Sequence, residues 1–165
     1  MNEKVVMMED WKKLISVANV FNGSTKILDA VSDGLSKQKS KDAIDISLHT
    51  LIPSIVLKAF ACEMYLKTYI ANQGGTVPKT HDLYELFRNI NKVTRAKISK
   101  LLIQMCLQSV DPEYNLDKLD NDIKKISLAF EEWRYFYEKS NTIDIQFLNI
   151  FLKALTDPSI TPPHH

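Results

Sequence analysis

Apolar side chains recur at steps of three and four residues along most of this chain, which is the spacing of one face of an α-helix. The sequence has no stretch that alternates apolar and polar residues as a strand would. The predicted helical segments are 5–21, 27–35, 47–72, 80–90, 94–105, 123–137 and 147–155. We therefore expect an all-α fold, an up-and-down helical bundle of about five to seven helices.

Polar and turn-forming residues predict where these helices begin and end. The run 22–24, Asn-Gly-Ser, predicts either a kink in the first helix or its end, and residues 36–45 predict an exposed loop. Pro53 suits the first turn of a helix, so we expect the regular part of the central helix to begin there. Thr80 and Thr94 are the predicted N-caps of the next two helices.

Length and composition are those of an ordinary folded domain. The chain has 165 residues, of which 45% are apolar and 25% charged, values typical of globular proteins. This length can bury a continuous core without disulfides or metal. We expect a single domain over residues 1–160, with 161–165 a disordered tail or a cloning remnant.

The net charge and the cysteines narrow the function classes. A formal net charge of +1 creates no overall field that would attract nucleic acid, so any such binding must come from a local cluster. Cys62 and Cys106 lie in apolar helical stretches without CxxC spacing, which indicates two reduced, buried thiols, with a disulfide between them as the alternative. The sequence predicts no metal site and no cofactor, since HExxH, ExxH and glycine-rich phosphate motifs are missing.

The sequence also predicts a cytoplasmic protein without a membrane segment. The first residues, MNEKVVMMEDWKK, contain acidic side chains and do not resemble a secretory signal. The most apolar stretch, 51–64, is interrupted by Lys58 and Glu63 and is too short to cross a bilayer.

Ionisable residues within the apolar helices are the candidates for function. Glu63 and Lys67 are four residues apart, so they can pair on one helical face, and Arg134 from another helix could reach the same carboxylate. The plainer alternative is a structural salt-bridge network that sets how the helices pack. For His81 the plainer alternative is a local role in the first turn of a helix.

Three strings contain these charged residues: ACEMYLKTYIANQGG from Ala61, KTHDLYELF from Lys79 and FEEWRYFYE from Phe130. In order and spacing they resemble the prokaryotic HEPN domains, in which an AxExxLK-like helix, a THDLxxL segment and an RY pair succeed one another. The resemblance covers residues 51–138. The matching positions are Ala61, Glu63, Leu66, Lys67, Thr80, His81, Asp82, Leu83, Leu86, Arg134 and Tyr135.

The resemblance implies a helical bundle, usually a dimer, that occurs beside nucleotidyltransferases, in toxin–antitoxin pairs and in phage defence. Many members are metal-independent ribonucleases whose signature is an Arg followed four to six residues later by a His. Here no His follows Arg134 before Asn141, nor does one follow Arg88 or Arg95 at that spacing. A ribonuclease would have to pair Arg134 with His81 or Tyr137, so we expect a non-catalytic module.

These observations support three hypotheses. The first is a homodimeric binding module that presents a charged cluster to RNA, to a nucleotide or to a protein encoded nearby, such as a nucleotidyltransferase or nuclease. The second is a ribonuclease toxin, and the third is a structural scaffold subunit of a defence complex. The residues of the predicted cluster are Glu63, Lys67, His81, Asp82, Arg134 and Tyr135.

Overall fold

The computed structural model describes residues 3–38, 41–128 and 144–160, and for 3–10, 41, 43–45, 47 and 48 the backbone alone. Within these ranges every regular element is a helix, which confirms the predicted all-α class. The helices are α1 (Glu3–Ser36), α2 (Lys41–Asn72), α3 (Leu83–Asn89), α4 (Lys92–Ser109), α5 (Leu116–Lys125) and α6 (Ile145–Leu155).

The two long helices, α1 and α2, form an antiparallel pair. The ring of Phe21 meets that of Phe60 edge to face, with centroids 4.6 Å apart, and the hydroxyl of Tyr65 donates to Asn19 Oδ1 at 2.6 Å. Further along α1, Asp29 pairs with Lys58 at 2.8 Å. Residue numbers therefore rise along α1 as they fall along α2, and the contact extends over several turns.

The second half of α2 is the centre of the core. It packs against α1, α3 and α6, and most of its residues from 58 to 71 are buried. The hydroxyl of Tyr69 donates to the carbonyl of Leu155 at 2.7 Å, which joins α2 to the end of α6. On α6, Phe151 meets Phe87 of α3 edge to face. The apolar faces predicted for α2 and α6 are thus the ones that the fold buries.

Of the two alternatives predicted for residues 22–24, a kink in the first helix or its end, the structure excludes the end, because α1 continues through Gly23 to Ser36. A glycine inside a helix costs about 1 kcal/mol relative to alanine, which is small beside the burial of a long helical face. The hydroxyl of Ser24 donates to the Val20 carbonyl at 3.0 Å and that of Thr25 to the Asn22 carbonyl at 2.8 Å. Such bonds let hydroxyl residues remain in a helix.

The prediction that α2 begins at Pro53 is wrong. The helix begins at Lys41, so Pro53 lies in its interior and the predicted loop 36–45 is shorter than expected. An interior proline removes one helical hydrogen bond and costs about 3 kcal/mol. Contacts of the next residue, Ser54, with α1 offset part of this cost. Ser54 is fully buried, and its hydroxyl donates to Asp29 Oδ1 at 2.6 Å.

Both predicted N-caps are displaced. The cap of α3 is Asp82, whose carboxylate accepts from the amide of Tyr84 at 2.8 Å, and Thr80 instead accepts from the amide of Asp82. The cap of α4 is Asn91, which accepts from the amide of Thr94 at 2.9 Å. Asp and Asn rank above Thr at this position, and each lies close to the predicted residue.

The predicted helix across 123–137 is also wrong in its first part. The helix α5 ends at Lys125, and residues 126–128 form a turn whose Ser127 carbonyl accepts from the amide of Leu83 at 2.8 Å. Ile123 and Ile126 are both buried, so the apolar spacing continues although the helix does not. The rest of that predicted helix lies outside the described residues, and so do 161–165.

Cys62 and Cys106 are free and fully buried, as predicted. In the described part of the chain, no helix is both long enough and apolar enough to cross a bilayer.

We predict that neither thiol reacts with a chromogenic disulfide reagent in the folded protein. Burial raises the pKa of Cys62 strongly and also raises that of Cys106, so both thiols stay protonated at mildly alkaline pH, and the thiolate is the reactive form. Thiol titration with and without urea should detect two thiols in the unfolded chain and none in the folded one. Reaction of either thiol at the rate of free cysteine in the folded protein would contradict this prediction.

Candidate functional site

The side chain of Glu63 lies in the middle of the buried half of α2 and is 1% exposed. Its helical neighbours Cys62 and Leu66 are fully buried. A carboxylate in such surroundings loses its hydration, and only charged or hydrogen-bonding partners can compensate.

Two basic side chains supply those partners. Lys67, one turn further along α2, donates from Nζ to Glu63 Oε1 at 2.6 Å. His81, from the loop before α3, places Nδ1 3.0 Å from Glu63 Oε2. Because an ionised carboxylate can only accept, we assign the proton of this contact to Nδ1. Each oxygen of Glu63 thus has a basic partner, and we call Glu63, Lys67 and His81 the Glu63 cluster.

The turn after α2 brings His81 back to Glu63. Gly74 adopts a φ of +75°, a left-handed conformation that favours glycine at a helix end. The amide of Gly75 donates to the Ile70 carbonyl at 3.0 Å. A Cβ at position 75 would lie 3.0 Å from atoms of Ile70, so a side chain there would disturb the turn. These glycines fix the course of the loop that carries His81.

Exposure differs sharply among the three members of the cluster. The side chain of Lys67 is 12% exposed and that of His81 is 48% exposed. The cluster therefore runs from the core to the surface, and the imidazole is its outermost group. A carboxylate bonded to Nδ1 fixes the orientation of a histidine ring, an arrangement that serves binding and general-base chemistry alike.

The structure assigns different places to the sequence-predicted residues. It brings together Glu63, Lys67 and His81, and it gives the carboxylate of Asp82 a capping role in α3. The remaining candidates, Arg134, Tyr135 and Tyr137, lie outside the described residues, so their approach to Glu63 stays a prediction. Among the described residues, no group of three or more His, Cys, Asp or Glu side chains could hold a metal ion.

The sequence did not predict a second ion pair, which joins a buried lysine of α2 to a partly exposed aspartate of α1. Lys58 is 6% exposed and pairs with Asp29, which also accepts from Ser54. A lysine in an apolar helix signals that a partner is needed, but the partner is 29 residues away in sequence and no local spacing identifies it.

We predict that Glu63→Ala lowers the free energy of unfolding by about 3 kcal/mol, because it leaves two basic groups without their acceptor. This value is at the low end for a broken buried pair, since Lys67 and His81 can both reach water. Urea unfolding followed by circular dichroism measures the change.

The control is Glu113→Ala, at an exposed carboxylate, which should change stability by no more than about 0.5 kcal/mol. Glu63→Gln, which keeps an acceptor, should lie between the two and remains informative if the alanine variant does not fold. Equal stability of the Glu63→Ala and Glu113→Ala variants would show that the Glu63 cluster is not needed for the fold.

Comparison with known proteins gives one match. The family model for the HEPN domain matches residues 59–146, which is more than half of the chain and includes the three strings that resemble HEPN motifs. No curated protein and no solved structure matches the chain significantly. The ordered helices, the contact between the Glu63 helix and the His81 loop, and the extent of this match agree: the chain belongs to the HEPN domain family.

Proposed function

We propose that this HEPN domain is a non-catalytic binding and dimerisation module that acts in a prokaryotic RNA- or nucleotide-related system, either a toxin–antitoxin pair or phage defence. The observation that carries the proposal is the Glu63 cluster, in which a buried carboxylate fixes two basic side chains and one of them is half-exposed. The ligand is a phosphate-bearing molecule, and Arg134 contributes a third basic group.

Binding explains the composition of the cluster better than packing alone. Lys67 already neutralises Glu63 from the same helix at 2.6 Å, so the charge balance of the core does not require His81. Yet His81 is held at the surface end of the cluster with its orientation fixed. When both of its ring nitrogens are protonated, the oriented imidazole beside a lysine suits a phosphate oxygen, which accepts hydrogen bonds from both side chains.

The residues after Arg134 argue against catalysis. The ribonucleases of the family use a His four to six residues after the Arg, and here those positions hold Glu138, Lys139 and Ser140. Acid–base catalysis near neutral pH needs a group that titrates there, and none of these three does so at its ordinary pKa.

One observation favours a ribonuclease as the second candidate. Glu63 orients His81 through Nδ1, as the carboxylate of a catalytic triad orients its histidine. In such an enzyme His81 or Tyr137 would take the role of the missing histidine beside Arg134. The third candidate, a scaffold subunit, predicts that the Glu63 cluster has no ligand.

We predict that the protein binds RNA or nucleoside triphosphates without cleaving RNA. The variants Arg134→Ala and His81→Ala should each weaken binding about tenfold, the effect of losing one charge-assisted hydrogen bond. The control Lys153→Ala, on exposed α6 surface, should bind like the unaltered protein. Fluorescence anisotropy with cellular RNA and with labelled ATP measures affinity, and gel electrophoresis of the same RNA measures cleavage.

Cleavage that is lost in both Arg134→Ala and His81→Ala, while their folds persist, would replace the proposal with the ribonuclease. An absence of any binding to either probe would favour the scaffold.

Dimerisation is supported by an apolar stripe on α1. The exposed residues Val17, Val20, Ile27 and Val31 follow heptad spacing, with Ser24 at the position between them. They lie on a different face of α1 from the buried residues Ile15, Ala18 and Thr25. We call the four residues the α1 stripe. Exposed apolar stripes of this kind mark association surfaces, and heptad spacing suits pairing with the same helix of a second copy.

We predict that the double substitution Val20→Lys and Ile27→Lys converts a dimer into a monomer, because it would bring positive charges together at the seam. The control is Val93→Lys, since Val93 and Ile27 are both 68% exposed but Val93 lies on α4. Light scattering after size-exclusion chromatography measures the mass. A monomeric unaltered protein, or a dimer that survives the double substitution, would contradict the prediction.

A further inference from the structure

A groove runs beside α4, on a part of the surface that the Glu63 cluster does not include. Two cavities of about 370 and 480 Å³ share Arg95, Ser99 and Leu116 as lining residues, so they adjoin. The first also contacts residues of α3 and α5, and the second runs along α4. We call the two together the α4 groove.

One face of α4 is the wall of this groove. Its members recur at three- and four-residue steps, while Ile98, Leu102 and Cys106 point to the core. The small residues Ala96 and Ser99 stand in the middle of the wall, so another backbone can approach it closely. The full wall consists of Lys92, Arg95, Ala96, Ser99, Lys100 and Ile103.

The charge of the groove is strongly positive, although the whole chain is nearly neutral. Its lining includes four basic side chains, those of Arg88, Lys92, Arg95 and Lys100, and a single carboxylate, Asp120. Asp120 is already paired with a lysine of its own helix and accepts from Tyr84. Among the described residues, neither Lys92 nor Lys100 has a carboxylate partner.

Part of this positive charge is held in place. Arg95 donates from Nη1 to the carbonyl of Arg88 at 2.6 Å, and the hydroxyl of Tyr84 accepts from Arg88 Nη1 at 3.2 Å. Arg88 and Lys124 both lie over the ring of Tyr84, at 5.7 and 5.2 Å from its centroid. Cations of the protein itself thus already contact the ring of Tyr84, which makes this ring a poor stacking platform for a nucleobase.

The floor of the groove is apolar. Leu116 is 65% exposed there and Ile103 is half-buried, while Phe87 and Leu119, which also belong to the lining, are almost completely buried. An apolar floor between basic walls matches a helix that has apolar side chains on one face and carboxylates beside them. Nucleic acid would match the charge but not the floor.

We propose that the α4 groove is the docking site for an acidic amphipathic helix of a protein partner. Apolar side chains of that helix, one turn apart, fill the floor around Leu116, and its carboxylates pair with Arg95 and Lys100. This docking site is independent of ligand binding at the Glu63 cluster and of dimerisation through the α1 stripe.

The test selects ligands from a displayed library of helix-biased random peptides against the intact protein. Enriched peptides should have apolar residues at i, i+3 or i+4 and i+7, flanked by Asp and Glu. The double charge reversal Arg95→Glu and Lys100→Glu should weaken the best peptide at least tenfold. The matched control is Lys97→Glu, on the same helix but outside the groove lining, which should bind nearly as the unaltered protein does.

Two further measurements complete the test. Leu116→Ser should also weaken the peptide, while His81→Ala should not, which separates the groove from the Glu63 cluster. A single-stranded RNA oligonucleotide should not displace the peptide. Failure to enrich peptides, enrichment without acidic residues, binding that survives the double reversal, or displacement by RNA would each overturn the proposal.

Discussion

The carboxylate of Glu63 constrains several parts of this molecule at once. It lies in the most apolar part of the central helix, where an unpaired charge would cost several kcal/mol. One partner comes from the next turn of the same helix, and the other must be brought back by the chain after the helix has ended. The end of α2, the turn at Gly74 and Gly75 and the start of α3 are therefore all tied to one ion-pair geometry.

The central helix carries a second buried charge of opposite sign, that of Lys58, little more than one turn before Glu63. Lys58 faces Asp29 on α1, while Glu63 faces the loop before α3. Apolar packing alone tolerates small slips along a helix, but a slip of α2 along α1 would leave the buried Lys58 without Asp29. A shift of the loop before α3 would leave one oxygen of Glu63 without its hydrogen bond. The two contacts therefore fix the position of α2 relative to α1 and to the loop before α3, a use of buried charge that gives specificity more than stability.

The sequence predicted the helices well and their ends poorly, for reasons that particular residues show. The helical spacing of apolar residues and the composition are enough to predict α2, α4 and α6, because each of these helices buries one continuous apolar face. At Gly23 and Pro53, the packing of α1 against α2 outweighs the local tendency of glycine and proline to interrupt a helix. At Ile126 the opposite occurs, because a turn interrupts the helix while the apolar spacing continues.

The contacts of the candidate site also differ in whether the sequence can predict them. The pairing of Glu63 with Lys67 results from helical geometry, so a spacing of four residues predicts it. The contact of His81 with Glu63 depends on the path of the intervening loop, and the contact of Lys58 with Asp29 depends on how two helices are placed. Neither contact can be derived from the spacing of residues in the sequence. The HEPN resemblance did, however, place the string with Glu63 and the string with His81 among the motifs of one family.

The hydrogen bond from Tyr69 to the carbonyl of Leu155 joins residues that are 86 positions apart. A link of this kind closes a very long loop, and contacts across long loops slow the search for the native topology. The middle of the chain thus acquires its final environment only after the last helix has been synthesised and has docked. During translation, α2 would emerge with the flank that contacts α6 still open to solvent. The burial of that flank would be among the latest events of folding.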